Sequence, residues 1–443
     1  MNRRDFLALS ASGIASAMLP LRSWGADSGA PDYKCLVNIF LFGGMDAFNL
    51  VVPTSTAEYN VYANSRQNLA IQNSDLLSIT PDNPDGASYG FHPSALALRD
   101  LFEAGDLAVV ANIGPLIEPT TKDAYLSQSV ALPPQLFSHN DQQDQWHSLK
   151  GKLPLSTGWA GRIADLMSNT VQNQTLALNT SLSGTTLFQA GETSIPYTLG
   201  TNGANTYNAL GRKTQFGVAR RVAFEEYLNR GFSNLHARAL AEVHQRSIGT
   251  ADQVNEALAL APELNTPFPD SSLGRQLQTI ARLIAVKDEF NMSRQIFFAA
   301  TGGFDTHDDQ NQVQPGLIQN VSDSLGAFNA ALTEISQSNN VVTFTQSDFG
   351  RTLTSNGDGT DHGWGSHQLV SGAAVRGRSI YGTMPILEIG GVDDATGGRI
   401  IPTTSADQYA ATLARWFGIS ESNLAQIAPS IGNFTNQDLG FIT

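Results

Sequence analysis

The chain holds one cysteine in 443 residues, Cys35. A single thiol excludes an internal disulfide framework, a cysteine-rich zinc site and a thiolate-held iron–sulfur cluster. Charge is scarce too: Asp, Glu, Lys and Arg make up 15% of the residues, against roughly 25% in ordinary soluble domains. Basic residues are the scarcer sign, 26 against 40 acidic ones, for a net charge of −14. Nucleic acid and anionic lipid both require a basic face, so neither is an expected partner. No apolar run reaches the roughly 20 residues that span a bilayer, so no stable membrane anchor is expected. What remains is a globular composition. The hydrophobic fraction is 41%, enough to bury a large core, and far from the charge-rich, apolar-poor make-up of disordered chains.

The first 26 residues read as an address. Arg3 and Arg4 give a basic start, residues 6–19 are mildly apolar, and small residues follow Arg22 near Gly25 and Ala26. That is signal-peptide anatomy. The run Asn2-Arg3-Arg4-Asp5-Phe6-Leu7 resembles a twin-arginine export signal. The expectation is export of the folded protein by the twin-arginine machinery to the periplasm or the extracellular space. Loss of three arginines and one aspartate with this segment leaves the mature chain near −16.

Beyond residue 26 no fixed-period repeat and no low-complexity tract occurs. Residues 36–42 (LVNIFLF), 107–113 (LAVVANI), 295–300 (QIFFAA) and 341–346 (VVTFTQ) are short apolar runs of the kind found in strands covered on both faces. Between them, residues 94–104, 273–289 and 317–336 space their apolar side chains as helices do. Alternation of this kind predicts an α/β fold: a three-layer sandwich with a mostly parallel central sheet between helices. Residues 27–443 are expected to form one such domain, with a mainly helical insertion at about 190–263.

Several of these strands run into glycine followed by metal-friendly side chains. Residues 36–42 lead to Gly43-Gly44-Met45-Asp46. Residues 295–300 lead to Gly302-Gly303-Phe304-Asp305-Thr306-His307, and residues 341–346 to Ser347-Asp348-Phe349-Gly350-Arg351. Downstream lies Gly359-Thr360-Asp361-His362-Gly363-Trp364-Gly365-Ser366-His367. In a parallel sheet ligands bind at the carboxyl ends of the strands, so these segments converge on one edge. A cluster of carboxylates and imidazoles repels itself unless cations neutralise it, so one or two divalent metal ions are expected. Mixed Asp and His donors suit zinc, manganese or iron better than calcium or magnesium. Asp46, Asp305, His307, Asp348, Asp361, His362 and His367 are the candidate ligands.

A candidate nucleophile lies in Ser138-His139-Asn140-Asp141, ahead of a helix-like run containing Trp146. The same four residues fit a capping signature, in which Ser138 merely caps the helix. As a nucleophile, Ser138 would profit from the positive end of that helix and from a neighbouring ion. Its neighbour His139 is placed with it in the catalytic set. Arg351 could clamp two ester oxygens in bidentate fashion, or form an ordinary ion pair with Asp348.

Taken as a set, the twin-arginine start with F-G-G-M-D-A-F-N, G-G-F-D-T-H, S-D-F-G-R-T and G-T-D-H-G-W-G-S resembles the bacterial exported family known as domain of unknown function 1501. The resemblance covers nearly the whole chain. It implies kinship with the alkaline phosphatase and sulfatase superfamily, and hence metals at the strand ends. By position Asp46 resembles the aspartate that holds the metal nearest the nucleophile, and Ser138 takes the nucleophile's place. Asp348 resembles the ligand in the superfamily's S-D-H-G. Asp305 and His307 resemble the ligands of the other metal, with His362 or His367 its last histidine. Two departures stand out. Phe349 replaces a metal-binding histidine, and His307 follows Asp305 by two positions instead of four. The sulfatase signature C-x-P-x-R is absent.

The expected function is an exported metal-dependent hydrolase of phosphate or sulfate esters, acting on a small-molecule, glycan or phosphoester substrate through a hydroxyl nucleophile. The alternative is a non-catalytic exported binding or assembly protein on the same scaffold with a degenerate metal site.

Overall fold

The computed structural model describes residues 32–171, 173–204 and 214–443. The export segment expected over residues 1–26 lies outside them. The strands are β1 Lys34–Leu41, β2 Val51–Pro53, β3 Leu77–Ile79, β4 Tyr89–Phe91, β5 Leu107–Gly114, β6 Asn179–Ser181, β7 Tyr197–Thr198, β8 Arg294–Thr301, β9 Val341–Ser347, β10 Arg351–Ser355, β11 Thr360–His362, β12 Ser366–Ser371, β13 Ser379–Tyr381 and β14 Thr404–Ser405.

Nine of them form the central sheet, in the order β13-β5-β12-β9-β1-β8-β6-β7, with β14 also paired to β5. Every pairing is parallel except those of β12, which runs antiparallel to both β5 and β9. The α/β sandwich expected from the sequence is therefore the fold, with one inverted strand. The near-continuous apolar runs are explained by burial on both faces. Val37, Ile39 and Leu41 of β1 enter one core cluster while Leu36 and Phe40 enter the other. Helices Leu96–Ala104, Ser272–Ala285 and Gln310–Glu334 supply the first cluster, and helices Trp159–Met167 and Ala406–Phe417 the second. Helix Leu96–Ala104 ends where the sequence said it would: Gly105 takes the left-handed conformation, φ 87°, and its N–H caps the last carbonyls.

Three local outcomes differ from the pattern. The helix expected from residue 317 begins at Gln310, because its first turns face a polar network built on Gln310 and Gln314 and so carry no apolar stripe. The inverted β12 reads as polar (SHQLVS), and the short β6, β13 and β14 give too few residues for a periodic signal. Within 190–263 two helices are described, Gln215–Leu228 and Leu235–Leu260, but its first residues add β7 to the sheet edge. Among the described residues no helix is long and apolar enough to cross a membrane.

The site is prepared by register. Leu41 of β1 pairs with Thr301 of β8 and with Ser347 of β9, so three parallel strands end at one level. Gly43, one turn beyond β1, has φ 114° and lies so close to the backbone of Asp305 that a Cβ would collide with it. Gly43→Ala is therefore expected to cost about 2–4 kcal/mol of stability, from backbone strain and forced separation of the two loops. Urea unfolding of the variant measures this; an unchanged midpoint would contradict it.

Candidate metal centre

Four side chains meet just past the ends of β1, β8 and β9. Asp305 and His307 come from the loop after β8. His362 ends β11, and His139 opens the helix His139–Ser148. Donor atoms of His139, Asp305 and His362 lie within 4.8 Å of one another. His307 Nε2 lies 3.0 Å from Asp305 Oδ1 and 2.9 Å from His362 Nε2. His362 Nε2 is 3.3 Å from Asp305 Oδ1, and His139 Nε2 is 3.4 Å from Asp305 Oδ2.

The opposite ring nitrogens define the tautomers. His362 Nδ1 donates to the carbonyl of Phe137 at 2.7 Å, and a carbonyl can only accept. His139 Nδ1 faces Asp348 Oδ2 at 2.6 Å, where Gln143 Nε2 also donates at 2.9 Å and the Gly43 N–H reaches Oδ1 at 3.2 Å. His307 Nδ1 is 3.3 Å from Asp361 Oδ1. With Nδ1 of His139 and His362 engaged by oxygen acceptors, the Nε2 atoms of both face Asp305. His139 Nε2 is buried and makes no hydrogen bond.

That donor set fits a divalent transition ion. A tetrahedral ion with bonds of about 2.0–2.1 Å has ligand-to-ligand edges of about 3.3 Å; the contacts His307–Asp305, His307–His362, His362–Asp305 and His139–Asp305 are 2.9–3.4 Å, and the group whose donors all lie within 4.8 Å of one another is His139, Asp305 and His362. Three imidazoles and one carboxylate suit zinc, and also manganese or iron. His139, Asp305, His307 and His362 are the residues that could hold it. Carboxylate and carbonyl partners on the outer nitrogens are the usual means of orienting histidine ligands.

Burial would raise the Asp305 carboxyl, but hydrogen bonding and charge from Arg351, with the neighbouring histidines, hold it below its ordinary value. The hydrogen bond to Asp348 raises His139 against the opposing effect of burial. Burial lowers His362, offset in part by the Phe137 carbonyl.

The sequence-predicted residues fall into three groups. Asp305, His307 and His362 are brought together, and His139 joins them. Asp348 and Asp361 stand one bond further out, on the backs of His139 and His307. Asp46 and His367 are not brought into the cluster. Asp46 is buried, paired with the guanidinium of Arg66, and accepts from Gln310 Nε2 at 2.6 Å. His367 lies in the core on β12, where its Nδ1 accepts the Asn112 N–H at 3.1 Å and burial lowers its pKa to about 3. Adjacent strand positions point to opposite faces, which β12 uses to turn His367 inward.

Arg351 is a correction of a different kind. It is fully buried, so it cannot clamp an ester. Its Nη1 donates to Asp305 Oδ1 at 2.6 Å and to the Gly43 carbonyl at 3.2 Å, while Nε and Nη2 donate to Thr360. It pairs with Asp305 rather than Asp348 and fixes that ligand in place. Ser138 stands at the N-cap position, yet its side chain caps no backbone N–H; its hydroxyl donates to Asp141 Oδ2 at 2.6 Å. Phe349 fills the space beside the donors, its ring centroid 4.8 Å from His139 and 4.6 Å from His362.

Sequence reasoning missed Arg66, Gln143 and Phe137. Phe137 has φ 72°, uncommon for a bulky residue, and this turn aims its carbonyl at His362. No periodicity or motif marks such a carbonyl.

Residues 33–422 match the profile of the family described as "Protein of unknown function (DUF1501)". No curated protein matches the sequence. Among solved structures, Ps i-CgsB in complex with k-i-k-neocarrahexaose is similar at 12% identity and a TM-score of 0.37, over 91% of this chain and 77% of that one. The lipoteichoic acid synthase LtaP from Listeria monocytogenes is similar at 8% identity and a TM-score of 0.33, over 94% and 76%. The phosphonate monoester hydrolase SpPMH from Silicibacter pomeroyi is similar at 8% and 0.33, over 88% and 74%.

Proposed function

The chain belongs to the DUF1501 family, and from its own donor set we propose that it is an exported metal-dependent hydrolase of phosphate or sulfate esters. The observation that carries the reading is the inward convergence of His139, His307 and His362 on Asp305, with the outer nitrogens already engaged. The reading has one ion, not two. Arg66 neutralises Asp46 with a buried guanidinium, and Phe349 places an aromatic ring where a further ligand would be needed. Residues 1–26 would serve as the twin-arginine export signal, and residues 27–443 as one domain carrying the helical insertion at 190–263.

Ser138 is the nucleophile in this reading. It sits between Phe137, whose carbonyl fixes His362, and His139, itself a donor. Its hydroxyl already donates to Asp141. As Ser138 Oγ bonds to the phosphorus or sulfur, its proton passes to Asp141 and the ester's leaving oxygen departs. Water then attacks the seryl ester and releases sulfate or phosphate, or the phosphate monoester where the substrate is a diester, while Asp141 returns its proton to Ser138 Oγ. A bound divalent ion supplies Lewis-acid polarisation of the ester oxygens. Asp348, Asp361 and Arg351 orient the donors, and none of them touches substrate.

Metal analysis of protein exported by its own signal, followed by assay on 4-nitrophenyl phosphate, 4-nitrophenyl sulfate and bis(4-nitrophenyl) phosphate, tests the proposal. The expected result is about one transition ion per chain and cleavage that Ser138→Ala abolishes. A folded, metal-loaded protein inert on all three esters would favour the binding or assembly role on the same scaffold.

A further inference from the structure

The surroundings of the centre are unusual in charge. Asp305, Asp348, Asp361 and Asp141 stand on or beside it, yet the two buried guanidiniums nearby are engaged. Arg66 is paired with Asp46, and Arg351 is held by Asp305, Gly43 and Thr360. An anionic ester therefore needs another cation from the protein. Arg399 touches two residues that flank the centre. Its Nε donates to the carbonyl of His362 at 3.1 Å, and its guanidinium lies over the Phe137 ring, 4.8 Å from the centroid. Nη1 reaches only the Thr396 carbonyl, at 3.5 Å, and Nη2 has no hydrogen-bond partner among the described residues. Arg399 is thus fastened to the two residues that flank the centre, one a donor and the other next to Ser138. It is half-buried and keeps free N–H groups.

We propose that Arg399 binds the anionic oxygen of the substrate, and that the centre favours esters bearing one negative charge at the reacting atom over dianionic phosphate monoesters. The inference rests on the hydrolase reading and narrows its substrate class. One guanidinium and one divalent ion, already shared with Asp305, offset a single added charge. A second charge would face the surrounding carboxylates, and among the described residues the other two guanidiniums at the centre, Arg66 and Arg351, are already paired. Sulfate monoesters and phosphodiesters share this monoanionic chemistry.

The test uses the metal-loaded full chain. In the wild type, kcat/KM for bis(4-nitrophenyl) phosphate or 4-nitrophenyl sulfate should exceed that for 4-nitrophenyl phosphate at least about 10-fold; the arm that is cleaved identifies the ester. Arg399→Ala should raise KM for the favoured ester about 10- to 100-fold, as expected for loss of a charge-assisted contact. The change in kcat should be smaller and metal content unchanged, with partial rescue by Arg399→Lys or added guanidinium. Calorimetric titration with methanesulfonate, a tetrahedral monoanion that cannot be hydrolysed, should show the same loss of affinity, and this readout needs no turnover. If the wild type cleaves no ester, the hydrolase reading fails, while methanesulfonate titration still decides the role of Arg399. If Arg399→Ala leaves both KM and methanesulfonate affinity unchanged, or the dianionic ester is preferred, the inference is overturned.

Discussion

His362→Ala and His139→Ala are each expected to weaken binding of the divalent ion about 100-fold or more, whereas His367→Ala should leave metal content at the wild-type level. The contrast follows from where three histidines of similar sequence context end up. His362 and His139 present Nε2 within 3.4 Å of an Asp305 oxygen, with their Nδ1 atoms fixed by Phe137 and Asp348. His367 is turned into the core and held by the Asn112 N–H. Asp348→Asn should have an intermediate effect, a loss of about 10- to 100-fold, because it loosens the orientation of His139 without removing a donor. Competition against a chromophoric chelator measures the affinities. Unfolding midpoints taken on the metal-free proteins separate a lost ligand from a lost fold. Equal metal content in the His362 and His367 variants would contradict the assignment.

These residues also mark which placements were legible in the sequence and which were not. The strand ends were legible because β1, β8 and β9 are apolar runs that break into glycine, and a parallel sheet carries such ends to one edge. Asp305, His307 and His362 followed from that rule. The role of His139 did not, since a helix N-terminus next to a serine reads equally as a cap. Asp46 obeys the same strand-end rule as Asp305 and yet is elsewhere engaged. What separates them is Arg66, twenty positions away on a helix with no charge pattern to announce it. His367 was lost to the alternation of an inverted strand, whose direction no local pattern gives. Arg351 was read as a free fork because burial and long-range partners such as Thr360 appear only in three dimensions.

Acid should destabilise this protein well above the pH at which ordinary, exposed carboxylates are protonated. His147 and His367 are fully buried and burial lowers each to about 3; His92 is lowered to about 4 for the same reason, with Asp46 opposing. In the unfolded chain each titrates near the ordinary value of about 6.5. A depressed folded pKa means stability that is fully present above about pH 6.5 and is lost as pH falls toward 3–4, because the unfolded state takes up protons that the native state refuses. Each such histidine contributes about 1.4 kcal/mol per pH unit in that window. Asp407 works in the other direction: burial raises it to about 7, against hydrogen bonds and charge from Ser430 and Arg162, so its contribution is lost as pH rises from about 4 to 7. Three histidines against one aspartate leave a net loss of about 3 kcal/mol per pH unit near pH 5. His147 is the cleanest probe. Its ring packs among Phe40, Phe188 and Phe298, remote from the carboxylates, with Thr186 at 3.5 Å as its polar neighbour. His147→Leu is expected to flatten the plot of unfolding free energy against pH by about 1.4 kcal/mol per unit between pH 6 and 4, and Asp407→Asn to steepen it by a similar amount. Comparing each variant with the wild type at every pH cancels the titration of the groups that both share. Parallel curves for His147→Leu and the wild type would mean that His147 is protonated in the native core, against everything its surroundings dictate.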